Sequence, residues 1–131
     1  MPILEWSQIQ PRVELASGED FDHAIDHLSA RASTDHPSIV ALYAHGHQVI
    51  LGLGLPQSFV QIQEWDDPQF GPALVTVGDA TASGEVAFYL LGSQLTEIPS
   101  RNLIPTPSAR RLAKQFLETG KLPTGVTWEA A

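Results

Sequence analysis

Between residues 37 and 99 the chain is a succession of strand-like runs, and a helix with a single apolar stripe stands on each side of that stretch. This pattern constrains the fold more than any other feature. A one-sided helix must bury its stripe against another layer, and strands without crossover helices between them pair as an antiparallel meander. The runs are "PSIVALYA", "HQVILGLG", "SFVQIQEW", "PALVTVG", "EVAFYLLG" and "SQLTEIP". The first two flank His45-Gly46, a hairpin signal because glycine accepts positive φ. "SFVQIQEW" alternates, with Val60 and Ile62 on one face and Gln61 and Gln63 on the other. "EVAFYLLG" is apolar throughout, as in a central strand covered on both faces, and "SQLTEIP" would return antiparallel to it.

The flanking helices are well punctuated. Phe21, Ala24, Ile25, Leu28 and Ala32 recur at helical spacing after Ser17 and Asp20, which resemble a capping box. The second helix is expected over residues 106–119, with Thr106 as N-cap and Pro107 as first helical residue. Its stripe is Ala109, Leu112, Ala113, Phe116 and Leu117, and Gly120 and Pro123 stop it. The segment before the first helix, "PILEWSQIQPRVELAS", would hold one or two short strands, with Pro11 suiting an edge. The expected fold is α+β: a mainly antiparallel sheet of about five to six strands, with an N-terminal-half helix and a C-terminal helix packed on it.

At 131 residues the chain is read as a single domain, 1–131, long enough for a two-layer core. It has no cysteine, so disulfides and thiolate metal sites are excluded. No apolar run is long enough to span a bilayer and no signal peptide is visible, so a cytoplasmic setting without membrane contact is the expectation. The formal net charge of −8 argues against direct nucleic-acid binding, which needs Lys and Arg to displace counterions.

The charges are segregated. Lys and Arg occupy positions 12, 31, 101, 110, 111, 114 and 121, and none falls between residues 32 and 100. That span carries Asp35, Glu64, Asp66, Asp67, Asp79, Glu85 and Glu97. A single-sign field of this kind steers oppositely charged partners, although a plain solvated surface has the same composition. Arg110 and Arg111 stand in the first turn of the last helix, where positive charge opposes the dipole, so carboxylates of the sheet are expected nearby.

Candidate chemistry is sparse. His23 and His27 lie four apart on the first helix, a spacing that can hold a metal, but HEXXH is absent and both lie away from the apolar stripe. His45 and His47 bracket the hairpin glycine. The four together would make a site only if a helix end met the hairpin tip. There is no G-x-S-x-G. Gly52 and Gly54 in "GLGLPQS" lack the remainder of a phosphate fingerprint and read as a strand end or close packing. Asp66 and Asp67 are adjacent and point apart, so they make a poor acid/base pair, and "WDDP" reads as a turn. No catalytic group, metal site or cofactor is expected. Trp65 stands among Glu64, Asp66 and Asp67, and is either core or, if exposed, a hot spot for a basic protein.

The span from Glu85 onward, "FYLLGSQLTEIPSRNLIPTPSARRLAKQFLETGKLPTGVTW" with its "TEIP", "LIP", "A-x-x-F" and "G-x-x-P-x-x-V-x-W" elements, resembles the first-numbered immunity family of bacterial polymorphic toxin systems. The earlier strands match that family in order and character. The resemblance implies an α+β, non-enzymatic, cytoplasmic protein that binds a cognate toxin domain, commonly a nucleic-acid deaminase. It also implies structural roles for Phe116, Gly120, Pro123 and Trp128. A basic, nucleic-acid-modifying toxin would complement the acidic meander, and Glu64, Trp65, Asp66, Asp67, Asp79 and Glu85 are the expected toxin-binding residues. A small metal-binding enzyme or sensor built on the histidines, and a plain adaptor domain, remain as alternatives.

Overall fold

The computed structural model describes residues 3–5, 13–32, 35–64, 73–90 and 94–131. The chain opens with two short strands, β1 (Ile3–Glu5) and β2 (Val13–Glu14), paired antiparallel. Helix α1 follows (Gly18–Arg31). The Ser17 hydroxyl accepts the Asp20 N–H at 3.3 Å, and the Asp20 carboxylate accepts the Ala16 N–H at 2.8 Å. The box is therefore reciprocal, with its return bond one residue before the cap.

The meander comprises β3 (Ser38–Ala44), β4 (His47–Leu53), β5 (Gln57–Ser58), β6 (Val60–Glu64), β7 (Leu74–Val77), β8 (Glu85–Leu90) and β9 (Gln94–Pro99). His45 and Gly46 both adopt positive φ, 53° and 72°, which gives the β3–β4 turn the twist that its strands need. After a 3-10 turn (Ser100–Asn102) come β10 (Ile104–Pro105), helix α2 (Thr106–Thr119) and β11 (Thr127–Ala130).

The main sheet runs β11-β7-β6-β4-β3-β1-β2, and the β8–β9 hairpin branches from β3. All pairings are antiparallel except β3 with β8, which are parallel through Ser38↔Tyr89 and Ile39↔Leu90. β5 and β10 form a separate two-stranded pair. The α+β class and the two helices are as expected, while the strand count exceeds five to six. The additional strands are two to four residues long, below what periodicity resolves. β11 pairs with β7 along Thr127↔Val77 to Ala130↔Leu74, where the resemblance implied only a structural role for Trp128.

Both helices cover one face of the sheet. Val40, Leu42, Val49, Leu51, Val60 and Ile62 meet Phe21, Ile25 and Leu28 of α1 and Leu112, Ala113 and Phe116 of α2. Burying each of these side chains other than Ala113 contributes about 1.5–3 kcal/mol. The opposite face has its own smaller core of Ile39, Phe59, Val75, Phe88, Ile98 and Leu103. The chain's β8–β9 hairpin supplies Phe88 and Ile98 to this second core. Consequently β8 is fully covered on one face only: Phe88 is fully buried, whereas on the other face Ala87 and Tyr89 are half-buried and Glu85 is exposed. The reading of "EVAFYLLG" as a strand covered on both sides is corrected here.

α2 spans the expected residues 106–119, but Thr106 is not its N-cap. Pro105 is the N-cap and offers no side-chain cap. Thr106 instead docks the helix start: its hydroxyl donates to the Leu55 carbonyl at 2.6 Å and its N–H to the Pro56 carbonyl at 3.0 Å. Gly120, left-handed at φ 70°, closes the helix as expected. The Trp128 indole N–H donates to the Pro123 carbonyl at 3.0 Å, satisfying its polar edge.

Candidate partner-binding surface

Strand alternation sets Glu85, Ala87 and Tyr89 of β8 on the face opposite Phe88, and Leu95, Glu97 and Pro99 of β9 on the face opposite Ile98. The register aligns them as Tyr89↔Leu95, Ala87↔Glu97 and Glu85↔Pro99. The hairpin therefore presents an outer face that is apolar at one end and acidic at the other. Leu95 is 56% exposed, a large fraction for a leucine. Beside it Tyr89 stacks on His36, with ring centroids 3.9 Å apart and planes 12° from parallel. At the acidic end Glu85 and Glu97 are diagonal neighbours across the strand pair. The hydrogen bond from Glu97, then its repulsion, then slight desolvation push the Glu85 carboxyl above its usual range.

The hairpin is rigidly seated. Phe88 packs edge-on against Phe59, centroids 5.5 Å apart, and its ring lies against Gly52 so closely that a Cβ there would overlap it. Gly52 thus serves close packing, as the sequence suggested, with no role in a phosphate loop.

The expected toxin-binding residues fall in different places. Trp65, Asp66 and Asp67 lie outside the described residues. Glu64 ends β6 opposite His47, at the β3–β4 turn end of the sheet. Asp79 follows β7 at the other end, since β6 and β7 are antiparallel through Gln61↔Val75. About six residues of extended strand, roughly 20 Å, separate the two ends. Asp79 and Glu85 share an end: the Gly78 N–H donates to the Arg101 carbonyl at 2.8 Å and the Ser100 N–H to the Gly84 carbonyl at 2.9 Å. Asp79 is held by a local turn, accepting the Thr81 hydroxyl at 2.6 Å and the Thr81 N–H at 3.0 Å, which lower its pKa.

Leu95 and the Glu85–Glu97 pairing escaped sequence reasoning. A signal for Leu95 was present, because Leu95 and Ile98 differ in parity within one strand and cannot both face the core. The carboxylate pairing needed the β8–β9 register.

The other sequence candidates resolve into structural roles. His45 donates Nε2–H to the Leu117 carbonyl at 2.8 Å, and His47 donates Nδ1–H to the His45 carbonyl at 2.7 Å. Both rings stand edge-on to Phe116. The end of α2 does meet the hairpin tip, but His23 and His27 are exposed on α1. Among the described residues no group of three or more His, Asp or Glu is arranged to hold a metal ion.

Among the described residues the carboxylates that meet α2's cations come from α1 and not from the sheet, and they meet Arg110 and Lys114. Lys114 meets Asp22 at 2.6 Å, and Arg110 meets Asp26 at 2.9 Å and Asp22 at 3.8 Å. A groove of about 910 Å³ runs beside this clasp, lined by Leu55, Pro56, Thr106 and Arg111 among others. Among the described residues no helix is long and apolar enough to cross a membrane.

No curated protein matches this sequence. A family model described as immunity protein Imm1 matches residues 10–130. The match takes in both helices, the meander and the C-terminal strand, and the chain belongs to the Imm1 immunity protein family.

Proposed function

We propose that the protein neutralises a cognate toxin domain by binding it and covering its active site or substrate entrance, with no catalysis, metal or cofactor of its own. The toxin proposed is a nucleic-acid deaminase, acting in the cytoplasm of the cell that makes this protein. The observation that carries the reading is the absence of every Lys and Arg from residues 32–100 in a chain of an immunity family. A deaminase must hold a polyanion beside its zinc-activated water, so its entrance is basic. An acidic protein surface imitates that substrate's charge and steers the encounter. Candidate contacts are Glu64 at one end of the sheet, Asp79 and Glu85 at the other, and Trp65, Asp66 and Asp67, which lie outside the described residues.

The test begins with the neighbouring reading frame: where it encodes a large secreted protein with a toxin-like C-terminus, that C-terminal domain is produced with and without this protein. DNA and RNA from those cells are then sequenced for C-to-U and A-to-I changes. Deamination that appears with the toxin domain alone and disappears when this protein is present supports the reading. Toxicity without base changes, still relieved by this protein, rejects the deaminase and retains neutralisation.

A further inference from the structure

The β8–β9 hairpin combines features that its own fold does not use. Its inner face is anchored by Phe88 and Ile98, so the outer face is held in one geometry before any partner arrives. That lowers the ordering cost of binding. On the outer face Leu95 remains mostly exposed beside the Tyr89–His36 stack. Next to this apolar end stand two like charges, and among the described residues no Lys or Arg forms an ion pair with either. The nearest in sequence, Arg101, is engaged by Glu129. We propose that the outer face of this hairpin is the surface that docks the toxin, with a lysine or arginine of the toxin seated between Glu85 and Glu97 and an apolar toxin side chain covering Leu95 and Tyr89.

The inference rests on the neutralisation reading above and specifies its surface. Charge selects the occupant. A nucleic acid would bring phosphates onto two carboxylates. A second copy of this chain, also at −8, would bring two more carboxylates against them. A basic protein relieves the repulsion and gains a charge-assisted hydrogen bond on each carboxylate. The arrangement of an apolar anchor beside a desolvated ion pair is that of a hot spot.

The test measures association and dissociation rates of the toxin domain from the adjacent reading frame with purified wild type, Leu95→Ala, Glu97→Lys, and Asp66→Lys/Asp67→Lys. Leu95 and Glu97 are exposed, and thermal melts establish that each variant is folded. Wild type should bind. Glu97→Lys should weaken binding by about thirtyfold or more, Leu95→Ala should mainly accelerate dissociation, and Asp66→Lys/Asp67→Lys should change affinity less than either. Amide exchange of the wild-type complex supplies a readout that needs no variant: residues 85–89 and 94–99 should gain protection on binding. If wild type binds but residues 94–99 gain no protection, or Leu95→Ala and Glu97→Lys bind within about twofold of wild type, the hairpin is not the docking surface and neutralisation by another surface stands. If folded wild type does not bind the toxin domain at all, the neutralisation reading falls with it.

Discussion

Thr76→Val isolates one buried polar knot that ties three parts of the fold together. Thr76 is fully buried on β7. Its hydroxyl donates to the Asn102 carbonyl at 3.0 Å and accepts the Val60 N–H at 3.2 Å. The Asn102 side-chain amide donates back to the Thr76 carbonyl and on to Glu129 of β11, each at 3.0 Å. Valine keeps the shape of threonine but leaves the Val60 N–H and the Asn102 carbonyl without this partner. Each buried polar group so orphaned costs about 1–3 kcal/mol. The added methyl returns about 0.8 kcal/mol, so the net loss is roughly 1–5 kcal/mol. Urea denaturation followed by circular dichroism and tryptophan fluorescence reads this directly. The midpoint should fall with the slope unchanged. Thr76→Ser, which keeps the hydroxyl and loses only a methyl, should be more stable than Thr76→Val. A Thr76→Val midpoint equal to wild type, or above that of Thr76→Ser, would refute the role given to the hydroxyl.

Phe116 is buried in the main core and also backs His45 and His47, so Phe116→Ala should cost about 3–5 kcal/mol by denaturant titration; an unchanged midpoint would remove its assignment to the core. Gly52→Ala puts a methyl into the Phe88 ring, and overpacking there should cost about 1–3 kcal/mol in the same assay, with Phe88→Leu in the Gly52→Ala background recovering part of the loss. The Glu85 carboxyl has a folded pKa above its ordinary value, so the folded protein binds its proton more tightly than the unfolded chain does. Its contribution is favourable below the ordinary carboxylate range and is lost as pH rises through the raised value. Glu85→Gln should therefore melt higher than wild type at neutral pH, and that advantage should vanish on acidification; an advantage independent of pH would contradict the Glu85–Glu97 coupling.

The helices were legible because their stripes, the Ser17 box and the Gly120 stop are local signals that tertiary packing reinforces. The β3–β4 and β8–β9 hairpins were legible from adjacency of strand runs. β11 was not, since Thr-Trp-Glu-Ala is only four residues long and becomes a strand only by pairing with β7 some fifty residues earlier in the chain. The parallel β3–β8 contact is likewise non-local. "EVAFYLLG" illustrates a different limit: apolarity marks a strand that packs, and does not tell how deeply each of its two faces is covered. The carboxylates expected near Arg110 and Arg111 were assigned to the wrong layer for a related reason. Charge balance predicted that they exist, but only the packing of α1 on α2 shows that they are Asp22 and Asp26. Of the proposed site, Glu85 was named from the charge map, while its pairing with Glu97 across strands required the register.

The most direct test of neutralisation by binding is isothermal titration of purified protein into the toxin domain from the adjacent reading frame, alongside survival of cells expressing that domain with and without this protein. A saturable, stoichiometric complex should form, weaken as salt rises, and accompany full protection. A folded protein that gives no heat of binding and no protection would contradict the account.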